Sequence, residues 1–272
     1  MAERLQWIKL QPKSWLDWEP TRGGVAAHAA VAQQYPGAGQ YVFEPTAKRA
    51  DAAMAVMAAM RGRWWNAARW LGPRQSFELP ANGAVDMVWA NMALHESADP
   101  QALLAQWHQA LKVDGFLMFS CLGPDTAREL RTLYARLGWP PAGHQLTDMH
   151  DWGDMLVNAG FAEPVMDMER ITLSFATPSR LLAELRPLGR NLHARRLRGL
   201  RGKDWHARLL GALTSAATDA GAAMPISATF EIIYGHALKP GPRMPVQAET
   251  VLSLDDMRRV LQQGGAAPRR RR

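Results

Sequence analysis

The chain has 272 residues, 47% of them hydrophobic and 21% charged, with a formal net charge of +7 and a single cysteine, Cys121. This composition excludes a disordered or collagen-like chain, and one cysteine excludes an internal disulfide and a multi-cysteine zinc site. The longest run without a polar residue, 52–60, is too short to span a bilayer, and the opening MAERLQWIKLQP has no apolar signal core. A reducing, cytoplasmic setting is the expectation.

Short apolar runs alternate with helical patterns as far as residue 161, which predicts an α/β fold with a parallel sheet flanked by helices. Residues 15–18 read as the first strand, the Ala-rich 24–34 as a helix stopped by Pro36 and Gly37, and 40–43 as the second strand. A helix follows over 47–60, with Ala50, Met54, Met57 and Met60 expected to pack as a core stripe. A third strand is expected between Ala68 and Phe77. Residues 85–90 read as a buried strand, 100–111 as a helix, 116–121 as a strand and 125–137 as a helix that Asp125 caps. The next helix takes Thr147 as its cap and ends at Gly160.

The pattern then changes. Two β-rich segments, 165–175 and 227–238, predict an antiparallel pair at one sheet edge, separated by an Arg-rich helical insertion over 178–220. The chain thus divides into an N-terminal arm (1–13), a main domain (14–240) and a C-terminal arm (241–272). That last arm holds one short helix over 254–262 and an Arg tail expected to be disordered.

The positive charge is local. Residues 180–208 hold nine Lys/Arg against two Asp/Glu, the last four residues are all Arg, and the remainder is mildly acidic. The basic stretch is either a solvated helix face or a docking surface for an acidic partner. Trp64 and Trp65 among arginines have the composition to stack on nucleobases, but the acidic remainder disfavours nucleic acid.

In an open parallel sheet, ligands bind beyond the carboxyl ends of the strands, near the reversal of strand order. The first strand–helix turn is LDWEPTRGG (16–24), and YVFEPT (41–46) places Glu44 at the tip of the second strand. A glycine-containing turn followed about twenty residues later by an acid suits a nucleoside-bearing cofactor, the backbone approaching the ligand and the carboxylate taking the ribose hydroxyls. His95, after the fourth strand, is the candidate substrate contact. Arg128 and Arg131 read as a solvated helix face, and Cys121 as a small buried residue rather than a nucleophile. His144, His150 and His236 lack metal-ligand spacing.

Later strings carry a resemblance. VDMVWANMALH (85–95), FSCLGPDTARELRTLY (119–134), TDMHDWGDMLVNAGFAEPVMDME (147–169) and TFEIIYGHALKP (229–240) resemble the class I, S-adenosylmethionine-dependent methyltransferases. More narrowly, they resemble the malonyl-[acyl-carrier protein] O-methyltransferases of biotin synthesis. The resemblance implies a Rossmann-like sheet with a reversed final hairpin. It implies methyl transfer from S-adenosylmethionine to the free carboxylate of a malonyl thioester on acyl-carrier protein, an acidic partner for the 180–208 segment. It also implies cofactor-binding roles for Asp17, Gly23, Glu44 and Asn91.

The departures sit in the cofactor turn. Glu19 and Thr21 occupy the first two glycine places, with Pro20 between them, and Gln75 stands where an adenine-side acid is usual. Side chains at 19 and 21 are expected to crowd the cofactor's methionine end, to strain any positive φ, and to need Arg22 as a counter-charge. Only about 14 residues precede the first strand, so the site's cover is shortened or supplied by Trp7. Two functions remain open: methyl transfer with an unusual cofactor turn, or a catalytically silent relative that keeps the fold and acts as a binding or assembly factor for an acidic partner.

Overall fold

Trp15, Leu16 and Trp18 are almost wholly buried although they point alternately to opposite faces, which only a strand covered on both sides permits. They lie in β1 (Ser14–Trp18), at the centre of a computed structural model that describes residues 1–60, 75–219 and 226–242. The other strands are β2 (Gly39–Phe43), β3 (Gln75–Ser76), β4 (Val85–Asn91), β5 (Leu111–Leu122), β6 (Ala162–Phe175) and β7 (Ile226–Leu238). They form one seven-stranded sheet in the order β3-β2-β1-β4-β5-β7-β6. The first five are parallel, and β7 runs antiparallel between β5 and β6. The chain steps outward from β1 to β3 and then returns to β4 on the other side, so the order reverses between β1 and β4.

Eight helical segments are described: α1 (Pro20–Gly23, a single turn), α2 (Val25–Gln34), α3 (Ala47–Met60), α4 (Pro100–Ala110), α5 (Arg128–Arg136), α6 (Met149–Asn158), α7 (Pro178–Leu185) and α8 (Lys203–Asp219). Helices α4 and α6 cover one sheet face through Leu104, Trp107, Trp152 and Leu156, packed on Leu16, Val88 and Phe119. Helix α2 and the 3₁₀ turn Ala2–Trp7 cover the other, where Val31 and Leu5 meet Trp15, Met87 and Phe116. A third cluster, built on Leu133, Tyr134, Leu181, Leu209 and Ala228, lies under the insertion. Gly235 of β7 faces the wholly buried Phe119, and a Cβ there would lie 2.1 Å from its ring.

Several expectations change. Met57 is buried, but Met54 and Met60 are exposed, because the buried line of α3 runs through Ala53 and Met57. The cap of α6 is Asp148, whose carboxylate accepts from the His150 N–H at 2.7 Å, in place of Thr147. Helix α5 begins at Arg128, so Asp125 caps nothing and pairs with Arg170 at 2.8 Å. Arg131 is no solvated residue: its guanidinium donates to the carbonyls of Pro124 and Thr126 and ties down the loop before α5. The insertion is helical only at its ends, since residues 189–202 belong to no helix. Of the expected strand between Ala68 and Phe77, Gln75–Ser76 is present and 68–74 lies outside the described residues, as do Trp64, Trp65, the 254–262 helix and the Arg tail. Residues Met1–Pro240 form one compact unit and Gly241–Arg272 a second. Among the described residues, no helix is long and apolar enough to cross a membrane.

Candidate functional site

Parallel register aligns the carboxyl ends of β1, β2 and β4 at the reversal point, with Trp18 beside Phe43 and Asp17 beside Trp89. The Glu19 N–H extends the β1–β2 ladder by donating to the Phe43 carbonyl at 2.8 Å. Glu19 then turns into the left-handed region at φ 54°, a conformation that costs a non-glycine residue about 1 kcal/mol. Two N–H groups, of Arg22 at 2.9 Å and Gly23 at 3.0 Å, hold its carbonyl, and Pro20 presets the first helical φ of α1. The strain expected from a side chain at position 19 is therefore present.

Four side chains close on one another at this point. The Glu44 carboxylate, fully buried, accepts the Thr21 N–H at 2.7 Å through Oε1. Arg49, in the first turn of α3, reaches across: its Nε donates to Thr21 Oγ1 at 3.0 Å and lies 3.0 Å from Glu44 Oε2. Its Nη1 lies 3.0 Å from Glu19 Oε2, which also has Arg22 Nε at 3.1 Å. Because the Arg49 Nε–H points at Thr21, Glu44 Oε2 receives charge but no aligned hydrogen bond from the described residues, and Glu19 Oε2 is left in the same position. The counter-charge expected from Arg22 is shared, since Arg22 also pairs with Glu96.

Asn91, at the end of β4, donates to the Gly23 carbonyl and accepts from Ser120 Oγ at 2.5 Å. A Cβ on Gly23 would lie 2.7 Å from the Asn91 carbonyl oxygen, so only glycine fits there. Glu44, Gly23 and Asn91 are thus brought together. Asp17 is not with them. Its carboxylate turns to the α2 face, buried, and bonds His28 Nδ1 at 2.8 Å. Burial pushes that carboxyl up, against the opposing pull of the His28 hydrogen bond.

The orphaned, buried Glu44 oxygen is the feature that fits a cofactor ribose. A hydroxyl arriving there would supply the aligned hydrogen bond that Arg49 does not. Sequence reasoning gave Arg49 no role. The signal available was Glu19 and Thr21 themselves, since two polar side chains in a tight turn need a polar partner.

Beyond β4 lies a cavity of about 180 Å³. His95 and Glu96 form one wall, Leu122 and Leu130 the floor, and Leu188 and Arg190 of the insertion the roof. His95 Nδ1 and His144 Nε2 are buried there without hydrogen-bond partners among the described residues. Burial, followed by the charges of Arg22 and His144, pulls the His95 imidazole down to about 4, so it is neutral at pH 7. Trp7 takes no part in this cover. It is exposed and lines a separate cavity with Ile8, Val165 and His236. Of the basic stretch, Arg180 pairs with Glu184, and Arg201 stacks 4.0 Å from the Trp205 ring. Arg186, Arg190, Arg195 and Arg198 are exposed with no ion-pair partner among the described residues. No group of His, Cys, Asp and Glu suited to a metal occurs among the described residues.

Comparison with known proteins agrees with this architecture. A family profile described as a methyltransferase domain matches residues 50–119. A malonyl-[acyl-carrier protein] O-methyltransferase of Gallionella capsiferriformans is 39% identical over 255 residues, covering 90% of this chain and 83% of that protein. Its counterpart from Nitrosospira multiformis is 33% identical over 267 residues, with 90% and 82% covered. Among solved structures, a Bacillus halodurans protein assigned as a methyltransferase superposes with a TM-score of 0.59 at 15% identity, covering 88% of this chain and 98% of that one. Related at this level along nine-tenths of its length, the chain belongs to the malonyl-[acyl-carrier protein] O-methyltransferase family.

Proposed function

We propose that this protein transfers a methyl group from S-adenosylmethionine to the free carboxylate of a malonyl thioester on acyl-carrier protein, in the cytoplasm. The observation that carries the reading is the adjacency of two sites at the carboxyl ends of the central strands. A cluster built on Glu44, Gly23 and Asn91 is joined through the Arg22–Glu96 pair to an open, largely apolar cleft at His95. When bound, the cofactor supplies an electrophilic methyl group. Glu44 takes the ribose hydroxyls, while Asn91 fixes the turn through Gly23.

A malonyl carboxylate is ionised at neutral pH, so the protein needs no general base. Its work is to align that carboxylate and strip its water. Leu122 and Leu130 present apolar surface to it, and neutral His95 donates a hydrogen bond without trapping the anion in a salt bridge. Arg186, Arg190, Arg195 and Arg198, without ion-pair partners among the described residues, form the docking face for the acidic carrier. Residues 14–240 are the catalytic body, with 178–220 as cover over the cavity and 1–13 and 241–272 as appended arms.

A second reading, a catalytically silent member that binds or assembles an acidic partner, draws on Arg49 lying against Glu44. Titration of S-adenosylmethionine into the purified protein, followed by heat and by melting temperature, separates the two. A ligand at one hundred times its Kd adds about 2.7 kcal/mol. The methyltransferase reading expects a shift that Glu44→Ala abolishes, together with methyl ester formed on malonyl-acyl-carrier protein. No shift at millimolar cofactor overturns it.

A further inference from the structure

We propose that Arg49 is an internal occupant of the ribose seat, a residue that the cofactor must displace and that therefore sets cofactor affinity in this chain. The proposal rests on the reading above and adds the residue that governs its first step.

Three observations carry it. Arg49 contacts Glu44, Glu19 and Thr21 at once, each at 3.0 Å, and so bridges the β2 tip to the β1–α1 turn. Two of those partners, Glu19 and Thr21, stand where the family turn has glycines, so the guanidinium has contacts here that a glycine turn would not give it. The cluster is also imperfect in a way that a settled structural ion pair is not. The Glu44 side chain is fully buried, yet its Oε2 has no aligned donor among the described residues, because the Arg49 Nε–H that lies near enough points to Thr21.

Arg49 and a ribose diol compete for the same carboxylate. The guanidinium is less than one-third exposed and can swing outward on its flexible stem into solvent, whereas Glu44, held by the Thr21 N–H, cannot follow it. Admission of a nucleoside thus exchanges two charge contacts of Arg49, to Glu44 and Glu19, and its hydrogen bond to Thr21 for two hydroxyl hydrogen bonds and a solvated guanidinium. That exchange leaves Glu19 with Arg22 as its remaining counter-charge.

The test uses the full chain and binding alone. S-adenosylmethionine, S-adenosylhomocysteine and adenosine are titrated calorimetrically into wild type, Arg49→Leu and the double variant Glu19→Gly/Arg49→Leu. Circular dichroism confirms that each is folded. The expected result is affinity tightened about tenfold in Arg49→Leu, further in the double variant, and equally for adenosine, which has the diol but no amino-acid portion. A control with 2′-deoxyadenosine should lose that gain.

Arg49→Leu that binds all three ligands as wild type does overturns the proposal while leaving the methyltransferase reading intact. Weaker binding of S-adenosylmethionine with unchanged adenosine binding overturns it too, because Arg49 would then hold the cofactor's carboxylate. Failure of every variant to bind any ligand overturns both the proposal and the reading beneath it.

Discussion

Replacing Gly235 by alanine sets a methyl group into an aromatic ring. The added Cβ would lie 2.1 Å from Phe119 Cε1 and 2.3 Å from Cζ, where ordinary contact needs more than 3.4 Å. The ring has nowhere to retreat: Phe119 is wholly buried, with Trp107 6.4 Å away centre to centre. Position 235 lies in the middle of the β5–β7 ladder, opposite Phe119, so backbone relief would break hydrogen bonds. Overpacking of this kind costs roughly 2–3 kcal/mol, and the melting temperature should fall by about 5–10 °C. Phe119→Leu alone removes volume and costs about 1–2 kcal/mol. In the double variant the leucine leaves room for the new methyl, so the two losses should fall short of their sum by at least about 1 kcal/mol. Urea unfolding of the four proteins, with m-values compared to exclude a changed unfolded state, measures that coupling. A Gly235→Ala protein within about 0.5 kcal/mol of wild type, or strict additivity, would refute the steric argument.

Other regions make their own predictions. Asp17→Ala leaves the buried His28 Nδ1 without its acceptor, and should lower stability by about 2–3 kcal/mol. His28→Leu in that background should recover part of it, and no recovery would show that the pair carries little. His95, held at about 4 in the folded state against 6.5 in the free side chain, takes its proton first in the unfolded chain. Stability is therefore complete above pH 6.5 and is lost as pH falls toward 4, by roughly 3 kcal/mol in full. Denaturation midpoints of wild type and His95→Gln at pH 7, 5.5 and 4.5 should diverge by that trend, and parallel curves would contradict it. Cys121, wholly buried with its thiol pushed up to about 12, should resist a thiol reagent at pH 8 in the native protein and react at once in denaturant. Fast native labelling would mean that the β5 end opens.

What could be read from the sequence depended on range. Strands such as β4 declared themselves because burial on both faces demands a continuous apolar run, and Met87, Val88, Trp89 and Ala90 supply it. The strings that carried the family resemblance prove to be joints of the scaffold. Tyr234-Gly235-His236 places its glycine against Phe119, and Leu122-Gly123-Pro124-Asp125-Thr126 wraps the buried Glu231, which accepts the Asp125 N–H at 2.8 Å. Caps and stripes were misread where two neighbouring residues qualified equally, as Thr147 and Asp148 did, or where the helix rotation was free, as in α3. In the site, the convergence of Glu44 with Asn91 and Gly23 followed from the order of strand ends. Arg49 did not. Its role depends on side-chain reach between a turn and a helix that are separated in sequence and joined by ionic contacts, which leave no periodicity to read.

The position of β7 governs how this chain can acquire its structure. The strand that sits between β5 and β6 is, among the described residues, the last in chain order, and the insertion from Phe175 to Ile226 separates it from the neighbour with which it forms its longest ladder. Until it arrives, β5 and β6 have no partner on their facing edges, and the backbone groups of both are open to other chains. Closing so long a loop is an entropic burden that a short turn would have avoided, which places this pairing late and slow in folding. During synthesis, a chain made only as far as α8 thus carries two unsatisfied strand edges, one of them the largely buried β5. Truncation before Ile226 removes the strand that joins the two edges, and with it the means of completing the sheet.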